Sequence, residues 1–96
     1  MAMQYDVKAA TVVADGSAYG ARTRVKGLVI TPTATSAGAV VLKDGGASGT
    51  SRLTINVDAG NTGNPFNVVI PGEGIVFDNS VYVDVTTVTS VTVFYG

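Results

Sequence analysis

In Arg52-Leu53-Thr54-Ile55-Asn56-Val57-Asp58 every odd position is apolar and every even one polar, which is the period of a strand with one buried face. Elsewhere no apolar stripe recurs at i, i+3, i+4 and i+7, and Gly, Val and Thr are too frequent for stable helices. The chain is therefore expected to be all-β. Leu53, Ile55 and Val57 should face its core.

The run 39–43 is short and apolar and ends in Asp44-Gly45-Gly46-Ala47-Ser48-Gly49-Thr50. Asp-Gly starts a turn and the further glycines permit positive φ, so 39–43 and 52–58 should form a hairpin. Further strands are expected at 5–13, 22–31 (bounded by Pro32), 66–70, 75–77, 81–87 and 91–95. Turns or connectors should lie at Asp15-Gly16-Ser17, at 31–37, at Asn61-Thr62-Gly63-Asn64-Pro65, and at Pro71-Gly72, which fits the centre of a type II turn. Val81, Val83 and Val85 share one face. Val91, Val93 and Tyr95 also fall on odd positions with Phe94 opposing them, and the uncertain phase after Thr87-Val88 implies a bulge or a strand buried on both faces. About eight short strands at this spacing suit a sandwich or small barrel. The expected fold is a single-domain, antiparallel β-sandwich over residues 1–96, jelly-roll-like in character.

A chain of 96 residues buries roughly 64% of its unfolded surface, which supports one modest core. Domains of this size are reinforced by disulfides, metals or association. The chain has no Cys and no His, which excludes disulfides and nearly excludes structural zinc. Association is the reinforcement left open. Charged residues make up 14%, against about 25% in typical soluble domains. Such a coat suits a surface set against other protein, and equally the Thr-rich coat of an extracellular β-domain.

The net charge of −1 argues against a nucleic-acid partner, which needs a cluster of cations. Arg22, Arg24 and Lys26 are the one local concentration. Their spacing puts them on one face of a strand, as a solvated stripe or an inter-subunit salt-bridge strip. No apolar run has the length of a membrane span, and Met1-Ala2-Met3-Gln4-Tyr5-Asp6 lacks the regions of a signal peptide. Neither a membrane nor an export address is expected.

Without His or Cys, the Ser-His-Asp and Cys-His constellations cannot be built. Ser-x-x-Lys does not occur, and the glycine-rich 45–51 lacks the Lys and the following helix that a phosphate cradle requires. Asp78 and Asp84, with Glu73 nearby, would need a cleft to act as paired carboxylates, and turn and strand-end roles suit them better. Calcium is the one metal whose oxygen ligands are present, at Asp58/Asn61 or Asp78/Asn79, although neither pair has the dense acidic alternation of a dedicated loop. No catalytic, cofactor-binding or metal residue is assigned. The Phe residues read as core, while Tyr residues near strand ends and termini suit subunit contacts. Tyr5, Tyr82 and Tyr95 are therefore interface candidates together with Arg22 and Arg24.

In Leu42-Lys43-Asp44-Gly45-Gly46, Ile70-Pro71-Gly72-Glu73-Gly74-Ile75, Val81-Tyr82-Val83 and Ser90-Val91-Thr92-Val93-Phe94-Tyr95 the chain resembles small β-rich virion proteins of tailed bacteriophages. In those proteins a strand leads to an Asp-Gly hairpin, an Ile-Pro-Gly-x-Gly turn follows, and a Thr-Val-aromatic strand ends the chain. The likeness covers the latter two thirds. It implies a non-enzymatic capsid cement or decoration protein located in the virion, whose partners are the major capsid protein or other virion proteins. It also implies a homo-oligomer, with a trimer as one arrangement. A tail, neck or fibre component is the neighbouring implication. A receptor- or glycan-binding module is the alternative, with Tyr19 as its loop aromatic. The strands at 5–13 and 91–95, which end the chain, are the expected free edges.

Overall fold

The computed structural model describes residues 8–33, 36–60, 63–70, 72 and 74–96. The alternation at 52–58 becomes strand β5 (Thr50–Val57), joined in a hairpin to β4 (Gly38–Asp44). Gly45 and Gly46 take the tip, with φ of 104° and 97°, the left-handed values that the Asp-Gly-Gly run implies. The remaining strands are β1 (Lys8–Val12), β2 (Gly16–Tyr19), β3 (Thr23–Pro32), β6 (Phe66–Val69), β7 (Ile75–Phe77), β8 (Val81–Thr86) and β9 (Val88–Tyr95). β2 occupies a stretch expected to be a turn. Gly-Ser-Ala-Tyr lacks the β-branched residues that mark a strand, and its pairing with β8 overrides that weak local preference.

Sheet A has the order β1-β9-β3-β6, with β7 also pairing β3, and sheet B has the order β2-β8-β4-β5. All pairings are antiparallel, and those of β1 with β9, β2 with β8, β3 with β6 and β7, and β4 with β5 are nested in sequence, while β3–β9 and β4–β8 join the nested pairs side by side. This is the strand order of a jelly roll, a hairpin wrapped into two facing sheets. The overall dimensions are 39 × 31 × 18 Å, and the short one admits two sheets with one core layer between them.

That layer is filled from sheet A by Val25, Leu28, Ile30, Phe77, Val91, Val93 and Tyr95, and from sheet B by Val40, Leu42, Val57, Val81 and Val83. Burying each such side chain contributes about 1.5–3 kcal/mol. Leu53, Ile55 and Val85 pack against the same cluster from the less covered parts of sheet B, as their parity predicts.

Bulges keep the parity correct. Between Pro32↔Val88 and Thr31↔Ser90 the extra residue is Thr89, so Val88 and Val91 both face inward despite a spacing of three. This is the phase change foreseen after Val88. Between Val25↔Tyr95 and Gly27↔Phe94 the extra residue is Lys26, which does the same for Val25 and Leu28.

The terminal strand departs from expectation. β9 is no free edge but lies between β1 and β3, because nested pairing inserts the last strand beside the first. The edges are β1 and β6 with β7 in sheet A, and β2 and β5 in sheet B. Gly72 has a φ of 67°, the value a type II turn requires of it. Tyr5, Asn61, Pro71 and Glu73, named above for contacts, calcium, the turn and acid chemistry, lie outside the described residues.

Candidate functional site

The strongest polar constellation is centred on Asp44, which is only 6% exposed. The inward parity of Val40 and Leu42 continues to position 44, so β4 delivers a carboxylate to the end of the core. Its Oδ1 accepts hydrogen bonds from the backbone N–H groups of Asn79 at 2.8 Å and Ser80 at 3.4 Å. Its Oδ2 accepts from the Asp78 N–H at 3.0 Å and from Arg52 Nη2 at 3.2 Å. Arg52 reaches it as the extra residue between Leu42↔Leu53 and Lys43↔Ser51. The amides of Asn79 and Asp78 hold the Asp44 pKa down, from 3.8 to about 2, against the opposing effect of burial. Asp44 thereby ties the β4–β5 hairpin to the β7–β8 turn, a structural role.

This arrangement decides the calcium question at Asp78/Asn79. Both residues turn N–H donors toward an anion, and the Asp78 carboxylate pairs with Arg22 at 3.2 Å. Such a turn is set up for negative charge rather than for a cation. Among the described residues no group of three or more acidic side chains converges. Asp84 pairs with Lys43 at 3.2 Å, and Asp15 accepts the Val85 N–H at 2.8 Å.

Interface candidates separate on inspection. Arg22 precedes β3 and is exposed with its partner Asp78, whereas Arg24 stands opposite Val76 within the sheet. Arg24 and Lys26 share the outer side of β3, because Val25 and Leu28 on either side of the bulge face inward, while Arg22 lies before the strand. Tyr82 is half-buried on sheet B opposite Ser17 and Lys43. Tyr95 is 8% exposed and faces the core, with its ring 4.8 Å from that of Tyr19 at an interplanar angle of 30°. Tyr95 is thus an interior residue and not a contact residue. Tyr19 is not a loop aromatic either; it ends β2 and is half-buried against Tyr95.

Sequence reading missed the outer side of sheet A. Cross-strand register sets Ala9, Phe94, Gly27 and Val69 in one row and Thr11, Thr92, Val29 and Asn67 in the next. None is charged, and Val69 is 84% exposed. Thr11 and Thr92 share a hydrogen bond between their hydroxyls at 2.9 Å. The row ends at β6, beside a hollow of about 300 Å³ lined by Val29, Pro65, Phe66 and Asn67. The available signal was the absence of charge from 66–70, but only the register shows that these residues join Ala9 and Phe94.

A larger cleft of about 550 Å³ lies at the opposite end from Asp44, lined by Val13, Ala14, Asp15, Thr33, Val85, Thr87 and Val88. Its one carboxylate, Asp15, already accepts the Val85 amide. Thr87 there has a φ of 52°, a left-handed conformation that costs a β-branched residue about 1–2 kcal/mol. It lies where the chain leaves β8 in one sheet for β9 in the other. Comparison with known proteins finds no matching family model, no matching curated protein and no matching solved structure.

Proposed function

We propose that this chain is a non-enzymatic virion structural protein, a capsid cement or decoration protein that bridges neighbouring major capsid subunits and acts as a homo-oligomer. The observation that carries this reading is a row on the outer side of sheet A that contains no charged residue, running from Ala9 through Phe94 and Gly27 to the exposed Val69 at edge β6, with Arg24 and Lys26 flanking it on β3. A row of this kind favours cover by protein over contact with water. The edge offers backbone groups that another chain's sheet can extend. Repetition over a shell would turn individually weak contacts into avidity.

Two further points support it. Jelly rolls are recurrent in viral capsid proteins, although they also serve lectins, so the architecture alone assigns no role. The motifs that resemble phage virion proteins fall in β4, β8 and β9 and in the turn around Gly72. The larger cleft, whose walls are Val, Ala, Thr and Asp with no aromatic platform, does not favour a glycan-binding module. A tail, neck or fibre component would use the same sheet A surface and differs only in the particle it joins.

Mixing the purified protein with empty phage shells and with isolated tails tests the proposal. Retention on shells, with leakage delayed to higher temperature or stronger osmotic shock, is expected. Retention on tails alone would move the protein to the tail. Shells that ignore it, or that leak unchanged with it bound, would overturn the cement role.

A further inference from the structure

All six Lys and Arg residues of the chain are among the described residues, and they gather toward one end of the sandwich. Lys8 stands opposite Tyr95, Arg22 precedes β3, Arg24 and Lys26 lie in the first half of that strand, and Arg52 meets Asp44. This is the end where β9 finishes and β8 starts. Lys43 stands opposite Tyr82 on β8, and its Nζ is held by Asp84 and by the Ala47 carbonyl. The other end, where β8 gives way to β9, carries Asp15 between β1 and β2, and Asp58 directly after β5, whose last residue pairs with Gly38. No cation lines the cleft there. From Val88 to Tyr95, β9 spans about 23 Å. That is well beyond the Debye length of about 8 Å at physiological ionic strength, so cations at the far end of the strand do little to balance these carboxylates.

The cleft is also preformed. Its volume of about 550 Å³ falls in the range of ordinary ligand sites. Val88 is buried and Val85 packs against the core, so one wall is fixed by the interior. The corner behind that wall is tight: Gly38 lets β4 approach the Thr86 and Thr87 carbonyls more closely than a Cβ would allow, and Thr87 is held at a φ of 52°. Backbone strain of this kind persists only where the surroundings over-determine it. Asp15 gives its Oδ1 to the Val85 N–H and leaves Oδ2 without a partner among the described residues. A carboxylate oxygen beside Val13, Val85 and Val88 fits a ligand with a cationic head on an apolar stem.

We propose that this cleft receives a Lys or Arg side chain of a protein partner, its stem against Val13, Val85 and Val88 and its head on Asp15. The negative charge is not confined to the cleft, since Asp58 lies outside its walls at the same end. Charge spread over an end of the molecule complements a basic surface better than it does a single small amine. The site is separate from the outer row of sheet A, and the capsid role neither requires it nor falls with it.

Backbone amide NMR shifts of the full chain test the proposal. The probe is n-butylguanidinium, the neutral control is n-butanol, and a capped pentapeptide with one arginine among glycines stands for the protein partner. Saturable shifts at Val13, Asp15, Val85, Thr87 and Val88 are expected with the guanidinium and not with butanol. The peptide should move the same amides at no higher concentration. Asp15→Asn keeps an oxygen for the Val85 N–H and removes the charge, so it should weaken binding of both cations by about fivefold while the other amide shifts report an unchanged fold. Absence of shifts, an equal response to butanol, or undiminished affinity in Asp15→Asn would each overturn the site. A response to the guanidinium with none to the peptide would overturn the protein partner. Shells that ignore the protein would refute the capsid role and leave this inference standing.

Discussion

Sheet B completes its polar chemistry internally, whereas sheet A leaves a face and an edge unfinished. On and around sheet B, Lys43 meets Asp84, Arg52 meets Asp44, and Asp15 accepts the Val85 amide. Both its edges are bulged. On sheet A the row from Ala9 to Val69 carries no charge, and β6 meets β3 without a bulge. A chain with only 14% charged residues has few such groups to distribute, and most of those with a visible partner serve sheet B and the turns at its end. Charge on sheet B secures the fold, and its absence from the row Ala9 to Val69 of sheet A is the feature on which the proposed contact with other protein rests.

The largest effect should come from breaking the polar anchor. Asp44→Asn keeps the shape but presents an NH2 group where the carboxylate accepted N–H donors, leaving buried donors unpaired. It should lower the thermal midpoint at neutral pH more than loss of the exposed Arg22–Asp78 pair does. The pH dependence has a defined sign. Asp44 titrates lower in the folded state, about 2, than in the unfolded chain at about 3.9, so its contribution is full above about pH 4 and is lost as pH falls toward 2. The wild type should lose midpoint across that window and Asp44→Asn should lose less. Equal slopes would remove Asp44 from its anchoring role.

Next in size is Gly38→Ala, where β4 begins. A Cβ there would lie 2.5 Å from the carbonyl oxygens of both Thr86 and Thr87, and the backbone must move at a cost of about 1–3 kcal/mol. Chemical denaturation reads this directly. Thr87→Asn at the same corner should stabilise by up to about 1 kcal/mol, since Asn tolerates the left-handed conformation better. Val69→Lys should have the smallest effect on folding, within about 0.5 kcal/mol, and yet abolish association. A large loss of stability would mean that sheet A, too, needs its outer row for its own folding.

Much of the fold was legible from local pattern. Strict alternation placed Leu53, Ile55 and Val57, Asp-Gly-Gly marked the hairpin, and the phase change near Val88 became the Thr89 bulge. Pairing partners were not legible. Being last in sequence made 91–95 look like an edge, whereas nested pairing buries it between β1 and β3. Tyr95 shared the parity of Val91 and Val93, and that parity correctly implied burial where its terminal position suggested a contact. Asp44 sat beside two glycines and read as turn chemistry, because the amides that require its carboxylate come from residues 78–80. The unfinished row likewise combines residues from four strands, and no window of sequence contains it.

The central claim, that association uses the β6 side of sheet A, is tested most directly by amide hydrogen exchange. Dilute protein should be compared with protein assembled in solution or bound to shells. Exchange at Phe66–Val69 should slow on assembly, while Thr50–Val57, at the bulged edge of sheet B, should be unchanged. Slowing at Thr50–Val57 with Phe66–Val69 unaffected would contradict the account.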